Sequence, residues 1–110
     1  MALLFVSNSD NSGEWCAALT AADPDLDVRL YPDIGPLEEI DAALVWRPPQ
    51  KLLASLPNLR VIFSLGAGVD GVLKDPSVPA DVPLVRLVDP GLTRGMVDYV
   101  IWQVFDWHRN

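Results

Sequence analysis

Residues 60–71, Arg-Val-Ile-Phe-Ser-Leu-Gly-Ala-Gly-Val-Asp-Gly, constrain this chain more than any other stretch. Val61 to Leu65 is a short apolar run, the mark of a strand buried on both faces. Gly66 and Gly68 end it, because a residue without Cβ lets the chain turn sharply and lets another group approach the backbone. A helix predicted from near Val69 leaves the N–H groups of Gly66, Ala67 and Gly68 pointing out of the turn. A strand, a glycine turn and a helix start make an anion site. Two anions compete for it. Gly66-Ala67-Gly68-Val69-Asp70-Gly71 satisfies G-x-G-x-x-G, with Asp89 beyond the apolar run Leu84–Val88, which suggests a dinucleotide. That fingerprint normally opens its domain, whereas residues 1–60 precede it here. Asp75-Pro76, Pro79 and Pro83 also cut the following helix short. A small carboxylate is therefore the favoured ligand, and a turn that merely packs is the plain alternative.

The 110 residues allow a single domain, 1–110. Half are hydrophobic, enough for a core, and a formal charge of −7 argues against nucleic acid and anionic membrane surfaces as partners. Cys16 is the one cysteine, so no internal disulfide forms; with one cysteine and one histidine no metal site is expected. The apolar N-terminus Met1–Val6 lacks a basic flank and is too short to span a membrane; it reads as a first strand, and a cytoplasmic location is the default.

Strands are predicted at Leu3–Ser7, Asp27–Tyr31, Ala42–Trp46, Val61–Leu65 and Leu84–Val88. Val28 and Leu30 alternate with polar residues, so the second strand suits an edge. Helices are predicted at Gly13–Ala22, with Ser12 as cap and Trp15, Ala18 and Leu19 on the buried stripe, and at Gln50–Leu56. Leu37–Asp41 offers one turn at most, and Thr93–Asn110 is the longest helix, with Thr93 as cap. Alternating strands and helices imply an α/β fold: a flavodoxin-like five-stranded parallel sheet, order 2-1-3-4-5, covered by helices on both faces. Ligands of such sheets bind beyond the carboxyl ends of the strands. Those ends carry Ser7-Asn8, Trp46-Arg47, Gly66-Ala67-Gly68 and Asp89. The order makes strands three and four neighbours and places Arg47 close to the glycine turn. In the last helix Met96, Val97, Tyr99, Val100, Ile101, Trp102, Val104, Phe105 and Trp107 cover more than one stripe, so a neighbouring domain or a second copy is expected against it.

Several segments together, Ala43-Leu44-Val45-Trp46-Arg47-Pro48-Pro49, Leu56-Pro57-Asn58-Leu59, Phe63–Asp70, Val85–Pro90 and Leu92-Thr93-x-x-Met96, resemble the D-2-hydroxyacid dehydrogenases, in particular those of the glyoxylate/hydroxypyruvate reductase A type. The departures are Gly71, where these enzymes usually carry His, and Val97-Asp98, usually a small polar residue and Glu. The resemblance implies the N-terminal part of a substrate-binding domain, without the NAD(P) domain and the returning segment that hold the family's catalytic Arg, Glu and His. No catalytic residue is assigned here. It implies that Leu65, Gly66, Ala67 and Gly68 hold a substrate carboxylate by their N–H groups, that Trp46 and Arg47 stand near the substrate, and that Met96 lies near the cofactor cleft.

The expected function is that of a substrate-domain fragment of an NAD- or NADP-dependent reductase acting on a small 2-keto or 2-hydroxy acid. Alone it is expected to hold no cofactor and to be inactive, and to form a homo-oligomer through helix 93–110. Two other readings stand beside it: a flavodoxin-like module that binds a small acid or dimerises without catalysis, and a nucleotide-binding half-domain using Gly66–Gly71. His108 reads as a solvated last-turn residue and Asp70 as a turn residue of the short helix.

Overall fold

The computed structural model describes residues 2–110; Met1, part of the apolar N-terminus, lies outside the described residues. Five strands, β1 (Ala2–Ser7), β2 (Asp27–Leu30), β3 (Ile40–Trp46), β4 (Val61–Ser64) and β5 (Leu84–Val85), form one parallel sheet in the order β2-β1-β3-β4-β5. The predicted strand order is the observed one. Three α-helices accompany the sheet: α1 (Ser12–Ala22), α2 (Asp70–Leu73) and α3 (Pro90–Arg109).

The core lies on one face. Leu4, Ala43 and Ile62 share a row across β1, β3 and β4, and each is fully buried. Leu53, Leu56, Leu59 and Val72, from the connections that follow β3 and β4, close over this row. The other face is only half covered. There α1 brings Trp15 against Phe5, ring centroids 5.8 Å apart, while Phe63 and Val85 farther across the sheet remain exposed.

Local chemistry moves several predicted boundaries. Asn11 rather than Ser12 caps α1, its Oδ1 accepting from the Glu14 N–H at 3.2 Å. No residue of α1 is buried, and Ala18 is exposed, because the helix lies over the β1–β2 side alone. The helix predicted at Gln50–Leu56 shrinks to a 3₁₀ turn at Leu53–Ser55, since Lys51 sits at φ +68°, outside helical dihedrals. The fifth strand pairs only at Leu84–Val85, because β4 ends at Ser64 and the turn carries the chain away; Leu87 still donates to the Gly66 carbonyl at 3.1 Å. The last helix starts at Pro90, with Asp89 and not Thr93 as its cap: the Asp89 carboxylate accepts from the Gly91 N–H at 2.8 Å, and proline suits the first helical position.

Every residue of α3 is exposed, so the helix packs on nothing in its own chain. The molecule is consequently elongated, 58 × 34 × 21 Å, with a radius of gyration of 17.1 Å. A compact chain of this length would have about 13 Å. Among the described residues no helix is long and apolar enough to cross a membrane. Because Ile62 is fully buried at the sheet's centre, Ile62→Ala is expected to cost about 2–5 kcal/mol in urea unfolding, whereas Thr20→Ala at an exposed position of α1 should change it by less than about 0.5 kcal/mol.

Candidate carboxylate-binding site

Register builds the site. Val45 of β3 lies opposite Ser64 of β4, so the residues after each strand, Trp46-Arg47 and Leu65-Gly66, emerge side by side at the carboxyl edge of the sheet. The Leu65 N–H continues the ladder, donating to the Val45 carbonyl at 3.0 Å. Ser64, buried at the end of β4, then closes the turn. Its hydroxyl accepts from the Gly66 N–H at 3.2 Å and donates to the Gly68 carbonyl at 3.1 Å.

These bonds divide the four amides expected to hold an anion. Those of Leu65 and Gly66 are spent inside the protein, so the Gly66 N–H does not point out of the turn as expected, and neither amide is free for the carboxylate that the resemblance assigned to both. Those of Ala67 and Gly68 donate to no acceptor among the described residues, and Gly68 is exposed. Helix α2 has only four residues, too few to sum a useful dipole, so the turn's own amides must carry any anion binding.

Gly66 is required by its neighbour. A Cβ at this position would stand 2.7 Å from Cζ3 of Trp46, so the indole occupies the space that any side chain would need. Arg47 follows in the left-handed region, φ +48°, a conformation that costs a non-glycine residue about 1–3 kcal/mol. Its guanidinium carbon lies 5.6 Å from the Trp46 ring centroid, a cation–π contact. Among the described residues it forms no ion pair, and it is exposed. Its stem passes Gly71, where a Cβ would meet Arg47 Cγ at 3.4 Å, so a large side chain at 71 would compete with Arg47 for this space. Between these groups lies a hollow of about 30 Å³ lined by Trp46, Arg47, Ser64, Gly68, Asp70 and Gly71, room for about one water. Asp70 adds a negative charge at the rim, offset by Lys74 at 3.5 Å.

The loop behind Arg47 is tied down by Asp75. Its carboxylate accepts from the Lys51 N–H at 2.8 Å and from the Ser77 N–H at 2.9 Å and hydroxyl at 2.6 Å. The Ser77 hydroxyl bond, with the two backbone donors, holds this carboxyl below the ordinary aspartate value of 3.8. Neither Ser64 nor Asp75 is among the residues expected at the site, Asp75 being expected only to stop a helix. Ser64 is the one polar residue in Val61–Leu65, and that interruption just before a glycine is the available signal; the link from Asp75 to Lys51 spans 24 residues and has no local one. Met96 stands apart on α3, beside Leu92, Val97 and Val100. The structure brings Trp46, Arg47, Leu65, Gly66, Ala67 and Gly68 together, and leaves Met96 outside that cluster.

A dinucleotide does not fit these residues. The glycine turn opens onto a single helical turn, Asp70–Leu73, where a dinucleotide's pyrophosphate needs a sustained helix behind it. Among the described residues no group of three or more His, Cys, Asp or Glu side chains could hold a metal ion.

No family model matches the chain. Along its whole length the chain is similar to glyoxylate/hydroxypyruvate reductase A. It is 38% identical to that protein from Serratia proteamaculans and 37% to that from Yersinia enterocolitica, matching all of this chain and 36% of each relative. The chain thus spans about a third of the curated relatives it matches. A D-isomer specific 2-hydroxyacid dehydrogenase from Xanthobacter autotrophicus, solved with NADPH and MES, superposes with a TM-score of 0.79 at 42% identity over 94% of this chain and 34% of that one. An NADPH-dependent glyoxylate/hydroxypyruvate reductase from Sinorhizobium meliloti, solved with NADP and sulfate, gives 0.75 at 39% identity over the same shares.

Two outcomes follow from the site's packing. Gly66→Ala should displace the Trp46 ring and lower unfolding stability by about 1–3 kcal/mol, seen as a reduced urea midpoint. The Asp75 carboxyl is depressed in the folded state, so its contribution is present above the unfolded value and lost as pH falls through the folded one. Stability should therefore decline as pH falls below about 4, the ordinary aspartate value, and Asp75→Asn should flatten that decline; an unchanged acid limb would contradict the role given to Asp75.

Proposed function

We propose that this chain is the carboxylate-holding part of the substrate domain of an NADP-dependent reductase acting on a small 2-keto acid of the glyoxylate or hydroxypyruvate kind. One observation carries the reading: the amides of Ala67 and Gly68, free in the turn after β4, adjoin the end of β3, where the unpaired Arg47 lines one hollow with Gly68. Two N–H donors and a planar cation match the two oxygens of a carboxylate, and charge-assisted bonds of this kind are among the stronger ones. Trp46 gives the Arg47 guanidinium a ring to rest against, 5.6 Å from its centroid.

The chain's role in such an enzyme is to bind and orient. Holding the carboxylate fixes the position of the keto carbon one bond away, and that positioning lowers the entropic part of the barrier. The cofactor of such enzymes supplies hydride chemistry, and the residues present here do not fit it. Met96, on α3, is proposed to face the cleft where that cofactor lies. No proton donor for the keto oxygen is assigned to this chain, so it is proposed to be inactive alone. Helix α3, bare and apolar, is proposed as the segment that meets another domain or a second copy. The reading as a binding or dimerisation module without catalysis rests on this same helix.

Titration of ¹⁵N-labelled protein with glyoxylate tests the reading. The amide signals of Ala67 and Gly68 should move and saturate, and Arg47→Ala should weaken the apparent affinity about tenfold, the loss of one charge-assisted bond. Absence of any shift at those amides at tens of millimolar ligand would overturn it (a concentration set by the assay). Turnover of glyoxylate with NADPH by this chain alone would contradict the proposed inactivity.

A further inference from the structure

Gly71 has no backbone reason to be glycine. It lies inside α2, and among the described glycines the positive φ belongs to Gly35. Glycine is also a poor helix former. The reason lies across the gap to the end of β3. Apart from its own helix, a Cβ at 71 would have two heavy atoms within 4 Å, and both belong to Arg47: Cγ at 3.4 Å and Cα at 3.8 Å. The side chain that is missing at 71 would therefore face Arg47.

The gap is fixed from both sides. Val72, the next residue of α2, is buried in the core and pins the helix. Opposite it, Pro48 and Pro49 follow Arg47 directly, and the Asp75 carboxylate holds the Lys51 N–H at 2.8 Å. With both backbones held, a side chain at 71 that reaches past Cβ must move the Arg47 side chain, because the loop has little room to yield. An alanine methyl would stop at ordinary contact distance from Cγ. A leucine would continue into the volume that the arginine stem occupies.

Little else directs the guanidinium. Among the described residues Arg47 forms no ion pair, and it is exposed. Its cation–π contact with Trp46 is weak at an exposed position, and arginine carries large rotamer freedom. The stem's path is thus bounded by the indole on one side and by the bare Cα of residue 71 on the other. Resting on the reading of Arg47 as the cation that meets the carboxylate, we propose that Gly71 is a positioning residue of this site: the empty place at 71 is the lane through which the Arg47 stem reaches the hollow beside Gly68. Gly71 offers the ligand neither charge nor side-chain donor. It acts through Arg47, so the size of residue 71 controls affinity for a small carboxylate.

NMR of the 110-residue chain tests this with and without ligand. The Arg47 guanidinium lies over the indole, so the Arg47 protons nearest it should be shifted upfield by the ring current in the wild type. Gly71→Ala should keep that shift and Gly71→Leu should abolish it, with far-UV circular dichroism unchanged because position 71 is exposed. In titrations with glyoxylate read at the Ala67 and Gly68 amides, Gly71→Leu should weaken the apparent affinity about tenfold, as Arg47→Ala should. The double variant Arg47→Ala/Gly71→Leu should also lose about tenfold and not about a hundredfold, since both changes remove the same contact. Additive losses, or an upfield Arg47 shift that persists in Gly71→Leu, would overturn the proposal. Wild-type amides that do not respond to glyoxylate would overturn the carboxylate reading instead, and the ligand-free Arg47 shift would still decide whether Gly71 places the guanidinium.

Discussion

The contact between the Trp46 ring and the bare Cα of Gly66 organises the candidate site. It exists because the parallel register sets Val45 opposite Ser64, so that the residues beyond both strands meet at the sheet's edge. The indole fills the space a side chain at 66 would take, and it is also the surface on which Arg47 rests. One aromatic ring thus joins the glycine turn to the cation. Ser64 completes the arrangement from below by bonding both ends of the turn, which leaves the amides of Ala67 and Gly68 as the ones still free. Arg47's left-handed backbone is the strain that accompanies this placement.

Much of the fold was legible because the strands are short, apolar and separated by strong punctuation. The β2-β1-β3-β4-β5 order follows from five such runs with helical connections, and Val28 and Leu30 did indicate an edge. What misled was local capping competition. Asn11 outcompetes Ser12, and Asp89 outcompetes Thr93, because each accepts a hydrogen bond from an N–H two or three residues ahead. Position 51 was unreadable: a lysine gives no hint of positive φ, and the Asp75 carboxylate that receives its N–H is distant in sequence.

The site was legible in its location and less so in its detail. Glycines after an apolar run announce a turn with open backbone, and the strand order put Arg47 beside it. Which amides remain free depended on Ser64, whose two bonds are set by tertiary geometry rather than by a pattern. The dinucleotide motif in Gly66–Gly71 is satisfied letter by letter, yet its physical requirement, a sustained helix behind the turn, is absent in a four-residue α2. Helix α3 illustrates the converse. Its all-round apolarity promised burial, and the chain by itself supplies none, which agrees with a chain that spans about a third of its curated relatives.

A crystal of this chain grown with oxamate, an unreactive mimic of a 2-keto acid, is the most direct test of the central claim. The account predicts the carboxylate within hydrogen-bonding distance of the Ala67 and Gly68 nitrogens, with the Arg47 guanidinium closing over it. Oxamate seated elsewhere, or those two amides turned inward onto protein carbonyls, would contradict it.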